Sequence, residues 1–98
     1  AGAVLALALV HHLALAAQIP LPWLADFLHQ LGPWLVIEFV PKSDPQARRL
    51  LAHRRDIFES YHQDGFEAAF AARFETVRAE RVAGGDRMLY LMRARARP

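Results

Sequence analysis

The stretch VLALALVHHL, residues 4–13, is an unbroken apolar run that ends on two adjacent histidines and a leucine. Its reading decides the fold. Periodicity alone does not separate a buried strand from a buried helix in so uniform a run, and its alanines and leucines locally favour helix. A second apolar run about 30 residues on settles the choice in favour of strand. It is Trp34-Leu35-Val36-Ile37-Glu38-Phe39-Val40, rich in β-branched and aromatic residues and bounded by Gly32-Pro33 and Pro41. Between the runs, Pro22–Leu31 places apolar residues at 24, 27, 28 and 31, one face of a helix. Pro22 suits the first turn and Gly32 the stop. The order predicts a βαβ crossover with strands over Val4–Val10 and Trp34–Val40, because parallel strands covered on both faces read as continuous apolar runs.

Downstream, Asp44 is expected to cap a helix that begins at Pro45. That helix turns Ala47, Leu50 and Leu51 inward and Arg48 and Arg49 outward, ending near His53 to Arg55. Residues 56–62 read as a turn or short helix. Asp64-Gly65-Phe66-Glu67 reads as a capping box with Asp64 in the capping position. Phe66, Phe70 and Phe74 follow at four-residue intervals and are expected in the core. The tail reads as a hairpin. Phe74–Val82 alternates roughly, Ala83-Gly84-Gly85-Asp86 turns, and Arg87–Arg93 returns. A hairpin reverses direction, so one of its strands must run against an otherwise parallel sheet. Arg93, Arg95 and Arg97 read as a solvated tail.

The bulk properties bound the function. With 98 residues the chain is one small domain. A formal net charge of +2 is no nucleic-acid footprint. The absence of cysteine excludes disulfide frameworks and thiolate zinc sites and fits a cytoplasmic protein. Residues 3–17 fall short of the ~20 residues a membrane helix needs, carry two costly histidines, and follow no basic segment. No membrane role is expected. The first residues are Ala1-Gly2-Ala3, with a core element starting almost at once. The expectation is a fragment whose N-terminal part is missing.

The order of elements resembles the C-terminal half of a class I, Rossmann-like S-adenosylmethionine-dependent methyltransferase. LALALVHHL resembles that family's fourth strand and the residues just after it. WLVIEFVPKSDP resembles the fifth strand and its loop, and RVAGGDRMLYLMRAR the terminal hairpin, which supplies the one antiparallel strand of the family's sheet. The resemblance covers essentially all 98 residues and rests on strand order and strand ends, not on invariant chemistry. It implies an α/β fold class with two parallel strands, crossover helices and a terminal antiparallel β-hairpin, in a single partial domain over residues 1–98. The glycine-rich cofactor loop, the ribose-binding acid and the adenine contact of the family have no counterpart here. Gly84-Gly85 stands in a hairpin, outside the strand-to-helix context that such a loop needs. S-adenosylmethionine is therefore expected to bind only with the missing N-terminal half, and these residues alone to be inactive.

In open α/β sheets ligands bind beyond the carboxyl ends of the strands. Val10, His11 and His12 are expected there, Val10 and His11 against the cofactor. One imidazole at most should face the cleft, since neighbouring side chains on an extended backbone point opposite ways. Methyl transfer to a hydroxyl or amine benefits from a base that takes the acceptor's proton, and histidine titrates in the right range. His11 and His12 are thus the candidate catalytic residues, with buried, neutral, structural imidazoles as the competing reading. Two adjacent histidines make a poor metal site, and recruiting His29, His53 or His62 would need coincidences of folding. Glu38, inside the second strand, is costly to bury without a partner. It reads either as an acceptor for an arginine such as Arg87 or as a substrate-facing group. Lys42 and Ser43 follow at the strand's carboxyl end. Tyr61 or Arg54 would orient an acceptor or make surface pairs. The acceptor, small or macromolecular, is unidentified, and the missing Asp/Asn-Pro-Pro-aromatic pattern argues against a nucleic-acid base. The rival class is a non-catalytic α/β module that associates, with itself or another chain, through an exposed strand edge.

Overall fold

A computed structural model of the protein describes residues 2–7, 10–52, 59 and 61–96. Four strands form one mixed sheet: β1 (Ala3–Ala6), β2 (Trp34–Phe39), β3 (Phe74–Arg81) and β4 (Met88–Ala94). Three α-helices accompany them: α1 (Leu21–Leu31), α2 (Pro45–Leu51) and α3 (Gln63–Ala71), and a π-helical turn spans His12–Ala16. The sheet order is β1-β2-β4-β3. β1 and β2 are parallel, with Ala3 opposite Trp34 and Ala6 opposite Ile37. β4 is antiparallel to both β2 and β3. β3 therefore runs the same way as β1 and β2, and β4 alone is reversed.

Alternation along the strands separates the two faces of the sheet. Leu35, Ile37 and Phe39 of β2 and Tyr90 and Met92 of β4 are buried in one core with Leu24, Ala25 and Leu28 of α1 and Phe66 and Phe70 of α3. Phe66 is the hub of this core. Its ring centroid lies 4.6 Å from Phe70 and 5.1 Å from both Phe39 and Tyr90. The expected Phe66, Phe70 and Phe74 stripe is core, with Phe74 the first residue of β3. On the opposite face Trp34 is exposed and Val36, Leu89 and Leu91 are half-buried.

Several boundaries differ from the sequence expectation. The first strand stops at Ala6 rather than Val10, and the chain is helical from Val10 into the π turn. The alanine–leucine preference for helix prevails once the pairing with β2 is used up. The π turn closes through Ala17 N–H to His12 O at 3.1 Å and Ile19 N–H to Leu13 O at 3.0 Å. Gln18 stands in the left-handed region at φ 60° to make that closure. α3 begins two residues earlier than the Asp64 cap implied. His62 is the N-cap, its Nδ1 accepting from Gly65 N–H at 3.0 Å, and Asp64 falls within the first turn. Asp44 does cap α2, accepting from Gln46 N–H at 2.9 Å, with Pro45 first in the helix. The expected end of that helix near His53 to Arg55 lies outside the described residues, as does Arg54. In the hairpin, Gly84 supplies the positive φ of 83° that the turn demands. The register slips between Thr76 and Arg78, a bulge that leaves Val77 exposed. No helix among the described residues is long and apolar enough to cross a membrane.

Candidate functional site at the carboxyl edge of the sheet

Because β1, β2 and β3 run the same way, their carboxyl ends share one edge of the sheet. Ala6, Phe39 and Arg81 end there, and Met88 of β4 starts there. The segments that follow, residues 10–17, 40–45 and 82–87, cluster at this edge.

Arg87 organises its middle. The guanidinium donates from Nε to Asp44 Oδ2 at 2.7 Å and from Nη2 to Asp44 Oδ1 at 3.1 Å, a two-point clamp. Nη2 also donates to Gln46 Oε1 at 3.1 Å, and Nη1 reaches Glu38 Oε1 at 3.5 Å. Glu38 therefore meets the arginine suggested for it. The clamp ties the hairpin's return strand to the cap of α2 and to the middle sheet strand. Hydrogen bonding from Arg87 is the main reason that the Asp44 carboxyl is held down at about 2.

The histidines are placed differently from the expectation. Val10 and His11 are buried helical residues, not the last residues of a strand, and His12 opens the π turn. His11 is fully buried and His12 is exposed. The two still face apart, because successive helical residues turn by about 100°, not because the backbone is extended. Their rings remain neighbours, 4.3 Å between centroids at 40°. Neither ring nitrogen of His11 has a hydrogen-bond partner among the described residues. Burial pushes the His11 imidazole below its ordinary value, helped by His12 and Arg87 and opposed by Asp44 and Glu38. The shift favours the neutral imidazole.

Lys42 and Tyr61 line a single cleft of about 360 Å³, together with Ser43, His62, Gln63, Arg81 and Asp86. Tyr61 is buried, and its hydroxyl donates to Val40 O at 2.6 Å, so its proton already serves the fold. Burial pushes that phenol well above its ordinary range. His11, His12 and Glu38 are not among the residues lining this cleft. The structure thus brings Lys42 and Tyr61 together, places Glu38 with Arg87 and Asp44, and sets the histidines on the neighbouring turn. Sequence reasoning missed Arg81 and Asp86, which pair at 2.8 Å on the cleft wall. The signal was topological: β3 runs with β2, and that delivers Arg81 to this edge.

The fold and this edge define a mixed α/β domain with its polar groups gathered where parallel strands end. Among known proteins, the chain is 43% identical over 90 residues to nodulation protein NoeA of Rhizobium meliloti (strain 1021). The match takes in 92% of this chain and 19% of NoeA, so the chain spans about a fifth of the length of that relative. No family model matches the chain, and no solved structure matches it.

Proposed function

We propose that these residues form the C-terminal half of a Rossmann-like, S-adenosylmethionine-dependent methyltransferase acting on an oxygen or nitrogen acceptor. The observation that carries the reading is the sheet: two adjacent parallel strands, then a terminal hairpin whose return strand alone is reversed. That is the arrangement implied by the resemblance of the three quoted stretches. A cytoplasmic location goes with it.

At the carboxyl edge of parallel strands, where open α/β sheets bind their ligands, Val10 and His11 are enclosed by the protein and would form the backing of a cofactor site. S-adenosylmethionine supplies an activated methyl carbon, and the remaining work is alignment and proton removal. His12, exposed beside His11 on the turn neighbouring the cleft of Lys42 and Tyr61, is the imidazole we assign to the acceptor's proton. His11, neutral and enclosed, holds the ring of His12 and shapes the wall. Arg87 and Asp44 fix the loop bearing Lys42 and Ser43, which with Tyr61 would bound the acceptor. The cofactor's glycine-rich cradle would come from chain outside these residues.

Calorimetric titration of S-adenosylhomocysteine into a polypeptide that joins this sequence to the proposed N-terminal half tests the proposal. Saturable heat with a raised melting temperature is expected. No heat and no thermal shift would overturn it. Given turnover, His12→Ala should lower kcat by about 10²-fold or more, and wild-type rates in both single histidine variants would remove the base assignment.

A further inference from the structure

The cleft that holds Lys42 and Tyr61 has a floor and a rim of different chemistry. The floor is carbon. Phe39 and Tyr61 are buried residues of its lining, with ring centroids 5.1 Å apart, and the half-buried Met88 joins them. The Tyr61 hydroxyl spends its hydrogen on Val40 O at 2.6 Å, so the phenol is neutral and fixed in place. The rim is cationic. Lys42 follows β2, Arg81 ends β3, and His62 caps α3, so three distant segments of the chain converge there. His62 Nδ1 accepts from Gly65 N–H at 3.0 Å, and the neutral ring therefore carries its own hydrogen on Nε2, as a donor. Among the described residues lining the cleft, Asp86 is the one carboxylate, and Arg81 Nη1 donates to it at 2.8 Å. That bond uses one of the five N–H donors of a guanidinium. Two cations, Lys42 and Arg81, against the single anion of Asp86 leave the rim net positive.

We propose that this cleft takes a small organic oxyanion, a carboxylate or phosphate monoester on an aromatic or otherwise apolar body, with the body against Phe39, Tyr61 and Met88 and the charged oxygens at Lys42 and Arg81. A volume of about 360 Å³ is at the lower end of what small-molecule sites occupy, and suits one such molecule. Neither half of the cleft suffices alone. Pairs between exposed cations and an anion are individually weak, and the floor adds the burial of apolar surface. Ammonium and guanidinium groups select an oxyanion over a neutral group by charge-assisted hydrogen bonds. That the bound molecule is the methyl acceptor rests on the functional reading above; that it binds does not.

NMR titrations of amide shifts in the 98-residue chain with phenyl phosphate, benzoate, inorganic phosphate and phenol test the proposal. Phenyl phosphate and benzoate should give saturable shifts at residues 41–43, 62–63 and 86–88, and the tighter of the two names the oxyanion. Inorganic phosphate and phenol each carry half of the ligand and should bind several-fold more weakly. Lys42→Gln and Arg81→Gln should each weaken phenyl phosphate about fivefold, and Asp86→Asn, which removes the opposing charge, should tighten it. Should the 98-residue chain show no cooperative melting transition, the same titrations on a polypeptide that joins these residues to the proposed N-terminal half decide. No saturable shift with either aromatic anion, equal affinity for phenol or inorganic phosphate, or wild-type affinity in both cation variants would overturn the proposal. Oxyanion binding in a protein that gives no heat with S-adenosylhomocysteine would leave this site standing and remove methyl transfer; cofactor binding with no response to either aromatic anion would do the reverse.

Discussion

At the scale of single residues, His11 is where stability and function pull apart. A buried imidazole with no hydrogen-bond partner costs roughly 1–3 kcal/mol relative to a satisfied one, and an apolar group of similar size avoids that cost. His11→Leu should therefore stabilise the fold by about 1 kcal/mol at neutral pH, read from chemical denaturation, while impairing any cofactor-dependent activity. The pH dependence has a definite sign. The folded-state value of His11 lies below its ordinary 6.5, so as pH falls the unfolded chain takes the proton first. Stability declines below about pH 6.5 in the wild type, and His11→Leu should remove that part of the decline. Asp44 adds a separate acid limb. Its carboxyl, 3.8 when free and held at about 2 by Arg87, contributes stability above the free value that is lost as pH drops through it toward 2. The contribution is on the order of 1–2 kcal/mol, and Asp44→Asn should erase the limb. Glu38 illustrates what was legible: a carboxylate inside an apolar strand demands a partner, and Arg87 is there. That Arg87 also clamps Asp44 was not legible, because two residues 43 positions apart meet only through the sheet pairing.

At the scale of elements, α1, β2, the cap of α2 and the hairpin followed from local signals, namely periodicity, bounding prolines and glycines, and an Asp-Pro start. The first strand did not. A run of alanines and leucines has no periodicity to mark where strand gives way to helix, and the length of β1 is set by its pairing with β2, a tertiary fact. The consequence reaches the candidate site, since Val10, His11 and His12 were expected at the end of a strand and stand instead on helical backbone. Likewise the cap of α3 falls on His62, a residue with weak capping preference, in place of the stronger signal at Asp64. The π turn is closed by Gln18 at φ 60°, where a side chain carries strain that glycine does not. Gln18→Gly should raise stability by about 0.5–1 kcal/mol, measurable as a shift of the urea midpoint at constant slope.

At the scale of the molecule, the sheet and its aromatic core hold the carboxyl edge together. Phe66 joins β2, α3 and β4 through contacts with Phe39, Phe70 and Tyr90. Phe66→Ala should cost about 3–5 kcal/mol and, in a domain this small, lower or abolish the cooperative melting transition. The strand order was legible only in part. A hairpin appended to a parallel pair requires one reversed strand, but that the return strand inserts between β2 and β3 is a matter of which edges bury the most apolar surface. The central claim is that a ligand occupies the edge where β1, β2 and β3 end. Hydrogen exchange of a polypeptide that joins these residues to the proposed N-terminal half, with and without S-adenosylhomocysteine, tests it most directly: the account predicts added protection at residues 10–17 and 40–44, and protection confined to the opposite edge, at residues 32–34 and 72–74, or no protection at all, would contradict it.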